Sequence, residues 1–509
     1  MEGRCKTGNP VQTNQRMQLD WNKVNWSQIK HQVEKIQQKI FRETQTGNFR
    51  EVNNQQRLLV RSLSARLWAV RLITEINSGR STPGVDGRLY RTARQKINLV
   101  ECLKFKNYKP KPIKVRWIPK PNGSKRKLGI PTIADRAMQS LVLLALDPEW
   151  EAKFEPHSFG FRPGRSAIDT ISHMWKTLVH QKGHRPHPGW VFDADISKCF
   201  DNINHDALLI KLNGSPFRKI IRAWLKCGAI NRIGFERTKK GTPQGGVISP
   251  LLANIALDGL ERQFGIYTKT GNYKPPSHRS GFDKDVAFFR YADDFIILAP
   301  SREVLVDYII PKVKSFLLKI DLKLNEAKTR IVNVSEGFNF LGFRFQRYYR
   351  RNGSIKEFAY YPCRDRLDRF LAKLKLYVRR NWNVDVKELI KGLNRRIRGF
   401  CNYFKWSKAY KAFGYLSHRI WEILWQWAKK RHPRRRGRKW IRNRYWKTVG
   451  NSRWIFSFEG IHMVEPYNLT AQWWKWPRVR LHTSPYDPNE LEYWKNRRQK
   501  HRGKQVIIS

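Results

Sequence analysis

Apolar residues in QQRLLVRSLSARLWAVRLITEI (55–76) recur every three or four positions, which lays one apolar stripe along an α-helix. The stretch stops at NSGRSTPGVDG (77–87), where Gly, Ser and Pro punctuate the chain. Ahead of it, residues 1 to about 53 are polar and rich in Asn and Gln, with a helix expected near Trp26 to Phe41. Then the period changes. VRWIPKPNGSKRKLGIPTIADR (115–136) reads as two short strands joined at Pro121, Asn122 and Gly123. AMQSLVLLALDPEW (137–150) has the length and composition of a buried helix. Two more strand-like segments carry acids inside apolar runs, WVFDADISKCF (190–200) and DVAFFRYADDFIILA (285–299). Strands interleaved with helices predict a layered α/β or α+β domain up to about residue 360. Residues 366–430 return to helical spacing, with Leu367, Phe370, Leu371 and Leu374 on one stripe.

A chain of 509 residues is too long for one hydrophobic core and suits three or four domains. Charge changes the picture most. The 100 basic residues against 41 acidic ones leave +59, a self-repulsion that a polyanion would relieve. Nucleic acid is the expected partner, because each neutralised phosphate also releases condensed counterions. A membrane surface fits less well: the basic residues are spread over the whole length and no lipidation motif is present. MEGRCKTGNP lacks the apolar h-region of a secretory signal, and no apolar run approaches the ~18 residues that span a bilayer. A cytoplasmic protein without a membrane partner is expected. The six cysteines form no CxxC pair, which points away from a zinc ribbon or a disulfide framework.

The acidic residues within the strands carry the chemistry. In YADD (291–294), adjacent carboxylates sit where two apolar strands turn. Taken alone this is also what an ordinary hairpin looks like, since Asp caps its own turn. Asp195 shifts the balance, because it ends the apolar strand that begins Trp190-Val191-Phe192. If the two segments are neighbours in one sheet, Asp195, Asp293 and Asp294 converge. Two unit charges ~4 Å apart repel by about 4 kcal/mol at an effective dielectric of 20. Cations must then neutralise them, and oxygen ligands without His or Cys favour Mg²⁺. Two such ions suit in-line phosphoryl transfer. Asp193 is expected on the opposite strand face.

At this point the chain resembles a family. GVDG (84–87), IPKPNGSKRKLGIPTIADR (118–136), SFGFRPGRSA (158–167), DISKCFDNINH (195–205), GTPQGGVISPLLANIALDGLE (241–261), YADD, NEAKTR (325–330) and FNFLGF (338–343) stand in order. Together they resemble the group II intron-encoded reverse transcriptases, and LNRRIRGFCNYF (393–404) is similar to that family's maturase, or X, region. The resemblance implies an α+β right-hand polymerase whose palm carries an antiparallel sheet. It implies an N-terminal extension (1–53), fingers and palm (54–360), a helical thumb and X domain (361–447) and a small basic DNA-binding region (448–509). It also implies an RNA-templated DNA polymerase and splicing maturase that copies its own intron during mobility. A protein that serves mainly as a splicing maturase is the alternative.

The roles that follow are those of the matching positions. Asp195, Asp293 and Asp294 would hold two Mg²⁺ ions, and Lys328 would protonate the leaving pyrophosphate. Phe200 would stand beside the sugar 2′ position and favour dNTPs. Lys120 and Arg126 would contact the triphosphate, with Gln244 lining the nucleotide pocket. The implied partners are group II intron RNA, an RNA template and primer, and a DNA target.

The last third is basic and aromatic. Arg395 to Tyr486 contains three acidic residues, and twelve of the 20 tryptophans lie between Trp382 and Trp494. Arg434, Arg435, Arg436, Arg438 and Lys439 form its densest run, with Trp440, Tyr445 and Trp446 interleaved. Cations alternating with aromatics point to nucleic-acid contact, whereas Phe400, Tyr403, Phe404 and Trp406 read as core more readily than as base-stacking platforms. No cysteine follows Cys401, so the chain is expected to be the form lacking the Cys- and His-bearing nuclease domain.

Overall fold

In the computed structural model, residues 20–119, 123–179, 188–266, 274, 281, 285–434, 437–450, 452–471 and 476–503 are described. The chain forms two compact units, one from Met1–Lys153 and Phe200–Leu252, the other from Phe154–Cys199 and Ala253–Ser509. No helix among the described residues is long and apolar enough to cross a membrane.

In the first unit, helices Trp26–Gln45, Phe49–Arg61 and Leu63–Arg71 pack with the long helix Ile133–Lys153. The helical stretch expected at 55–76 is broken at Ser62. That residue ends one helix in extended backbone and caps the next, its hydroxyl accepting from the Ala65 amide. Helix Ile133–Lys153 contains Pro148, which has no amide hydrogen to offer the Leu144 carbonyl one turn back. Buried Gln37 fills the vacancy, its Nε2 donating to Leu144 O at 2.8 Å. Next door, Gln56 Nε2 donates to Ala145 O at 3.2 Å and to Glu149 Oε2 at 2.7 Å. The Asn- and Gln-rich character of the N-terminal segment is thus partly structural. Two short strands, Ile113–Pro119 and Lys125–Ile130, pair antiparallel and head a four-stranded sheet completed by Ala229–Ile230 and Phe235–Glu236.

The second unit carries the two acid-bearing segments as neighbours. Its main sheet runs Ala287–Tyr291, Asp294–Ala299, Trp190–Asp195, Arg330–Asn333, antiparallel throughout. A second sheet is built from Phe338–Phe340, Phe343–Tyr349 and Ile355–Pro362. Helices Arg364–Arg380, Val386–Phe404 and Tyr410–Arg431 follow and share one continuous core with both sheets. Phe404 and Trp406 are buried there, with Phe404 4.9 Å from Phe343 and Phe400 4.2 Å from Phe370 between ring centres. Residues far along the chain return to this core. The fully buried Asp169 accepts from Arg497 Nη2 (2.6 Å), Trp476 Nε1 (3.0 Å) and the Val479 amide (3.1 Å). Three donors on one carboxylate oxygen, one of them charged, offset its desolvation.

Replacing Gln37 by Leu should lower stability by roughly 1–3 kcal/mol, because the Leu144 carbonyl is left without its donor. Urea denaturation measures it. A variant as stable as the parent would mean that water serves that carbonyl equally well.

Candidate active site

Asp195 and Asp294 are register partners on the two central strands of the main sheet, and Tyr291 pairs with Asp294 from the other side. The hairpin therefore closes through two residues, Ala292 and Asp293. Ala292 has φ of 60°, a left-handed value that costs an alanine roughly 1–2 kcal/mol. The surroundings hold it there. Gly160 approaches so closely that a Cβ on it would lie 2.3 Å from the Ala292 amide nitrogen. Arg290, fully buried, donates from Nη1 to Asn254 Oδ1 (3.1 Å) and Ala292 O (3.3 Å). Asn254 Nδ2 donates in turn to Gly160 O at 2.8 Å. Backbone bonds from Phe159 N to Arg290 O and from Arg290 N to His157 O, both 2.9 Å, fasten this segment to the hairpin strand.

Burial lowers the Arg290 pKa, and Glu155, Asp258 and Glu261 oppose that effect. Glu155 is itself pushed well above the ordinary carboxylate range, first by burial and then by Asp258 and Glu261. Beneath the turn, then, buried charges are balanced by opposite ones. At the turn, like charges crowd together. Asp294 is open to solvent on its outer side, yet its pKa is pushed up to about 7. Burial of the rest of the carboxyl leads, followed by the charges of Asp293 and Asp195, a hydrogen bond with Asp195, and the charge of Asp193.

Asp195 has its own holders. Asn325 Nδ2 and Lys328 Nζ each donate to Oδ2 at 2.9 Å, and the Asn325 amide donates to the Asp195 carbonyl at 2.8 Å. Asn325 was not singled out from sequence; only its place at the head of NEAKTR could have drawn attention. Asp193 corrects an expectation. Residues two apart on a strand share a face, so Asp193 lies on the side of Asp195, where Arg330 Nη2 donates to its Oδ2 at 3.2 Å. As the side chains stand, no three acidic, His or Cys groups among the described residues are gathered closely enough to hold a metal ion. The donor set nevertheless fits a hard divalent cation: carboxylate oxygens only, crowded closely enough that like charge helps to raise the Asp294 pKa.

Of the other expected residues, Phe200, Gln244, Lys120 and Arg126 belong to the first unit and the basic run to the second. Phe200 is buried in the short helix Cys199–Asn202, and its carbonyl accepts from the Thr242 amide at 2.6 Å. Gln244 follows in the same segment. Its carbonyl accepts from the Gly129 amide at 2.8 Å, while its buried side-chain Oε1 has no partner among the described residues. Gln244, Lys127, Asp201 and Lys240 are among the residues lining a cavity of about 130 Å³. Arg126 is exposed on strand Lys125–Ile130, whereas its neighbour Lys127 lies 3.6 Å from Glu236. Lys120 lies outside the described residues, as do Arg435 and Arg436. Arg434, Arg438 and Lys439 are exposed. Tyr445 and Trp446, expected to interleave with cations as stacking surfaces, are buried instead. At those two positions the alternation is that of a helix end and a strand with one face in the core.

Residues 118–345 match the family described as reverse transcriptase (RNA-dependent DNA polymerase). Residues 21–103 match the N-terminal domain of reverse transcriptase, and 367–446 the group II intron maturase-specific domain. Protein YkfC of Escherichia coli K12 is 33% identical over 320 residues, 57% of this chain and 82% of the relative. Group II intron-encoded protein LtrA of Lactococcus lactis subsp. cremoris is 29% identical over 423 residues, 67% of this chain and 69% of the relative. Among solved structures, telomerase from Candida albicans matches at TM-score 0.36 and 13% identity, covering 66% of this chain and 61% of that one, too distant to carry an argument.

Gly160→Ala should displace the Ala292–Asp293 turn, because the added methyl meets backbone rather than a movable side chain. Overpacking of this kind costs about 1–3 kcal/mol, so the thermal midpoint should fall. Binding of Mn²⁺, followed by electron paramagnetic resonance, should weaken about ten-fold if ligand position matters as it does at other metal sites. Parental Mn²⁺ affinity would show that the turn tolerates the shift.

Proposed function

From the premise that this chain belongs to the family of group II intron-encoded reverse transcriptases and maturases, right-hand RNA-directed DNA polymerases, we propose how its own residues carry out the reaction. The observation that carries the reading is the register pairing of Asp195 with Asp294 at the end of a closed hairpin. Asp195, Asp293 and Asp294 are the ligands of two Mg²⁺ ions. When bound, such ions lower the pKa of a primer 3′-hydroxyl and take up charge developing on pyrophosphate. The protein's own part is to fix these oxygens on rigid strands, so that no reorganisation is needed as the bond to the α-phosphorus forms.

Lys328, 63% exposed at its side chain and resting on Asp195, turns its ammonium to the departing pyrophosphate and gives it a proton. Phe200 presents its ring where a ribonucleotide would carry a 2′-hydroxyl. Gln244 offers its unpartnered Oε1 to the nucleotide or template, and Lys120 and Arg126 grip the triphosphate. We assign residues 54–360 to fingers and palm, 361–447 to thumb and X domain, and 448–509 to a DNA-binding region, with 1–53 as an N-terminal extension. The substrates are dNTPs on an RNA template, and the partners are the parent intron RNA and a DNA target, met in the cytoplasm. Primer extension on RNA, comparing dNTPs with NTPs, tests the whole assignment.

Asp294→Asn should reduce extension to background while leaving affinity for RNA, measured by filter binding, within about two-fold of the parent. The change removes a metal ligand and touches none of the exposed cations. Extension at the parental rate would end the metal assignment.

Phe200→Ala should raise ribonucleotide use relative to dNTPs by about ten-fold or more, since a steric block worth a few kcal/mol is gone. The ratio of kcat/KM values for the two sugars decides it. If that ratio is unchanged, Phe200 is only a packing residue.

A further inference from the structure

We propose that the exposed indole of Trp454 is a stacking platform for an unpaired base of RNA. The proposal rests on the nucleic-acid-binding reading given above and adds to it a specific residue and a specific kind of ligand. Strand Ser452–Phe458 pairs antiparallel with Trp446–Val449, with Lys447 opposite Ile455 and Val449 opposite Ser452. Two residues, Arg453 and Trp454, therefore face the single Thr448. This is a β-bulge, a device that re-aims a side chain. Trp454 takes φ of 64° there. That left-handed position usually goes to glycine, and a bulky side chain in it is an outlier. The strain does not serve packing, because Trp454 is 48% exposed while Ile455 and Phe456 beside it are buried.

What surrounds the indole defines the ligand. Trp454 lines a concavity of about 600 Å³ together with Trp421 and Trp425, whose rings lie 5.2 Å apart and nearly parallel at 11°. Among the described residues, the remaining lining is four cations, Lys429, Arg438, Lys439 and Arg442, and no acidic residue. The Arg442 guanidinium sits 5.7 Å from the Trp454 ring. Flat indole faces within a ring of positive charge offer a base its π-surface and its flanking phosphates their counter-charges. A base inside a duplex has both faces covered already. Its occupant is thus a nucleotide in a bulge or loop, the feature by which structured RNA is most often read. Arg438 and Lys439, singled out from sequence as nucleic-acid contacts, acquire here a defined geometric role.

The test uses the full chain and an RNA hairpin carrying one bulged 2-aminopurine, with the same hairpin fully paired as control. The parent should bind the bulged hairpin more tightly and quench its fluorescence on stacking. Trp454→Gly is the informative variant, since glycine accepts the backbone conformation without strain and the fold should be at least as heat-stable. It should lose about ten-fold in affinity for the bulged hairpin, lose the quenching, and bind the paired hairpin as before. Trp454→Tyr should keep most of both signals. Equal affinity and quenching in the parent and Trp454→Gly would overturn this inference alone and leave the broader reading standing. A parent that binds neither hairpin would overturn both.

Discussion

Asp195 and Asp294 face each other across adjacent strands because the rest of those strands cannot do otherwise. Val191, Phe192 and the run Phe295 to Ala299 are almost entirely removed from solvent. Burial of each large apolar side chain contributes about 1.5–3 kcal/mol. Six such residues outweigh the repulsion of a carboxylate pair, about 4 kcal/mol at 4 Å and an effective dielectric of 20. Burial on both faces of these paired strands thus forces the like charges at their ends together. The remaining features of the site answer that constraint. Asn325 and Lys328 hold Asp195 and Arg330 holds Asp193, while burial and the neighbouring carboxylates push the Asp294 pKa up to about 7.

The two sides of the hairpin follow opposite rules. Below it, Arg290 lies among Glu155, Asp258 and Glu261, so each buried charge has an opposite one within reach. Such an arrangement is seldom a large source of stability, but removing one member leaves another buried and uncompensated. Its value here is positional: the guanidinium reaches Asn254 and the Ala292 carbonyl, and so couples the hairpin turn to the Gly160 segment. A rigid support under a crowded carboxylate cluster is what a metal-dependent polymerase requires, since catalytic geometry must survive the arrival and departure of charged substrates.

Much of this was legible from sequence. The two apolar runs with acids at their ends gave the central strands nearly to the residue, whereas their pairing was only a condition of the metal reading until the register showed it. Other parts were hidden for physical reasons. Ser62 breaks what looked like one helix because a hydroxyl can cap as well as interrupt, and periodicity does not register the difference. Asn325 and Arg290 act through tertiary contacts that no local spacing encodes. The face on which Asp193 lies needed only the strand period, applied over two residues rather than one. Tyr445 and Trp446 looked like stacking surfaces because composition reports aromatic and basic content without direction; one face went to the core. The Asp169 to Arg497 clamp joins residues too far apart in sequence for any pattern to link them.

Backbone strain shows where the chain accepts a cost in order to place a group. Eight described residues other than glycine have positive φ, and four of them fall inside the blocks shared with the family: Phe161, Lys198, Ala292 and Leu341. Strained backbone persists only where its surroundings over-determine it. At Ala292 the surroundings are Gly160 and Arg290. At Leu341 the exposed carbonyl accepts from Tyr403 Oη at 2.9 Å, tying the FNFLGF turn to helix Val386–Phe404. Trp454 stands apart from these. Its side chain is half exposed and lines an open concavity. Among the described residues, what faces its ring is the Arg442 guanidinium at the edge of that concavity, so the natural beneficiary of that strain is a ligand that stacks on the indole.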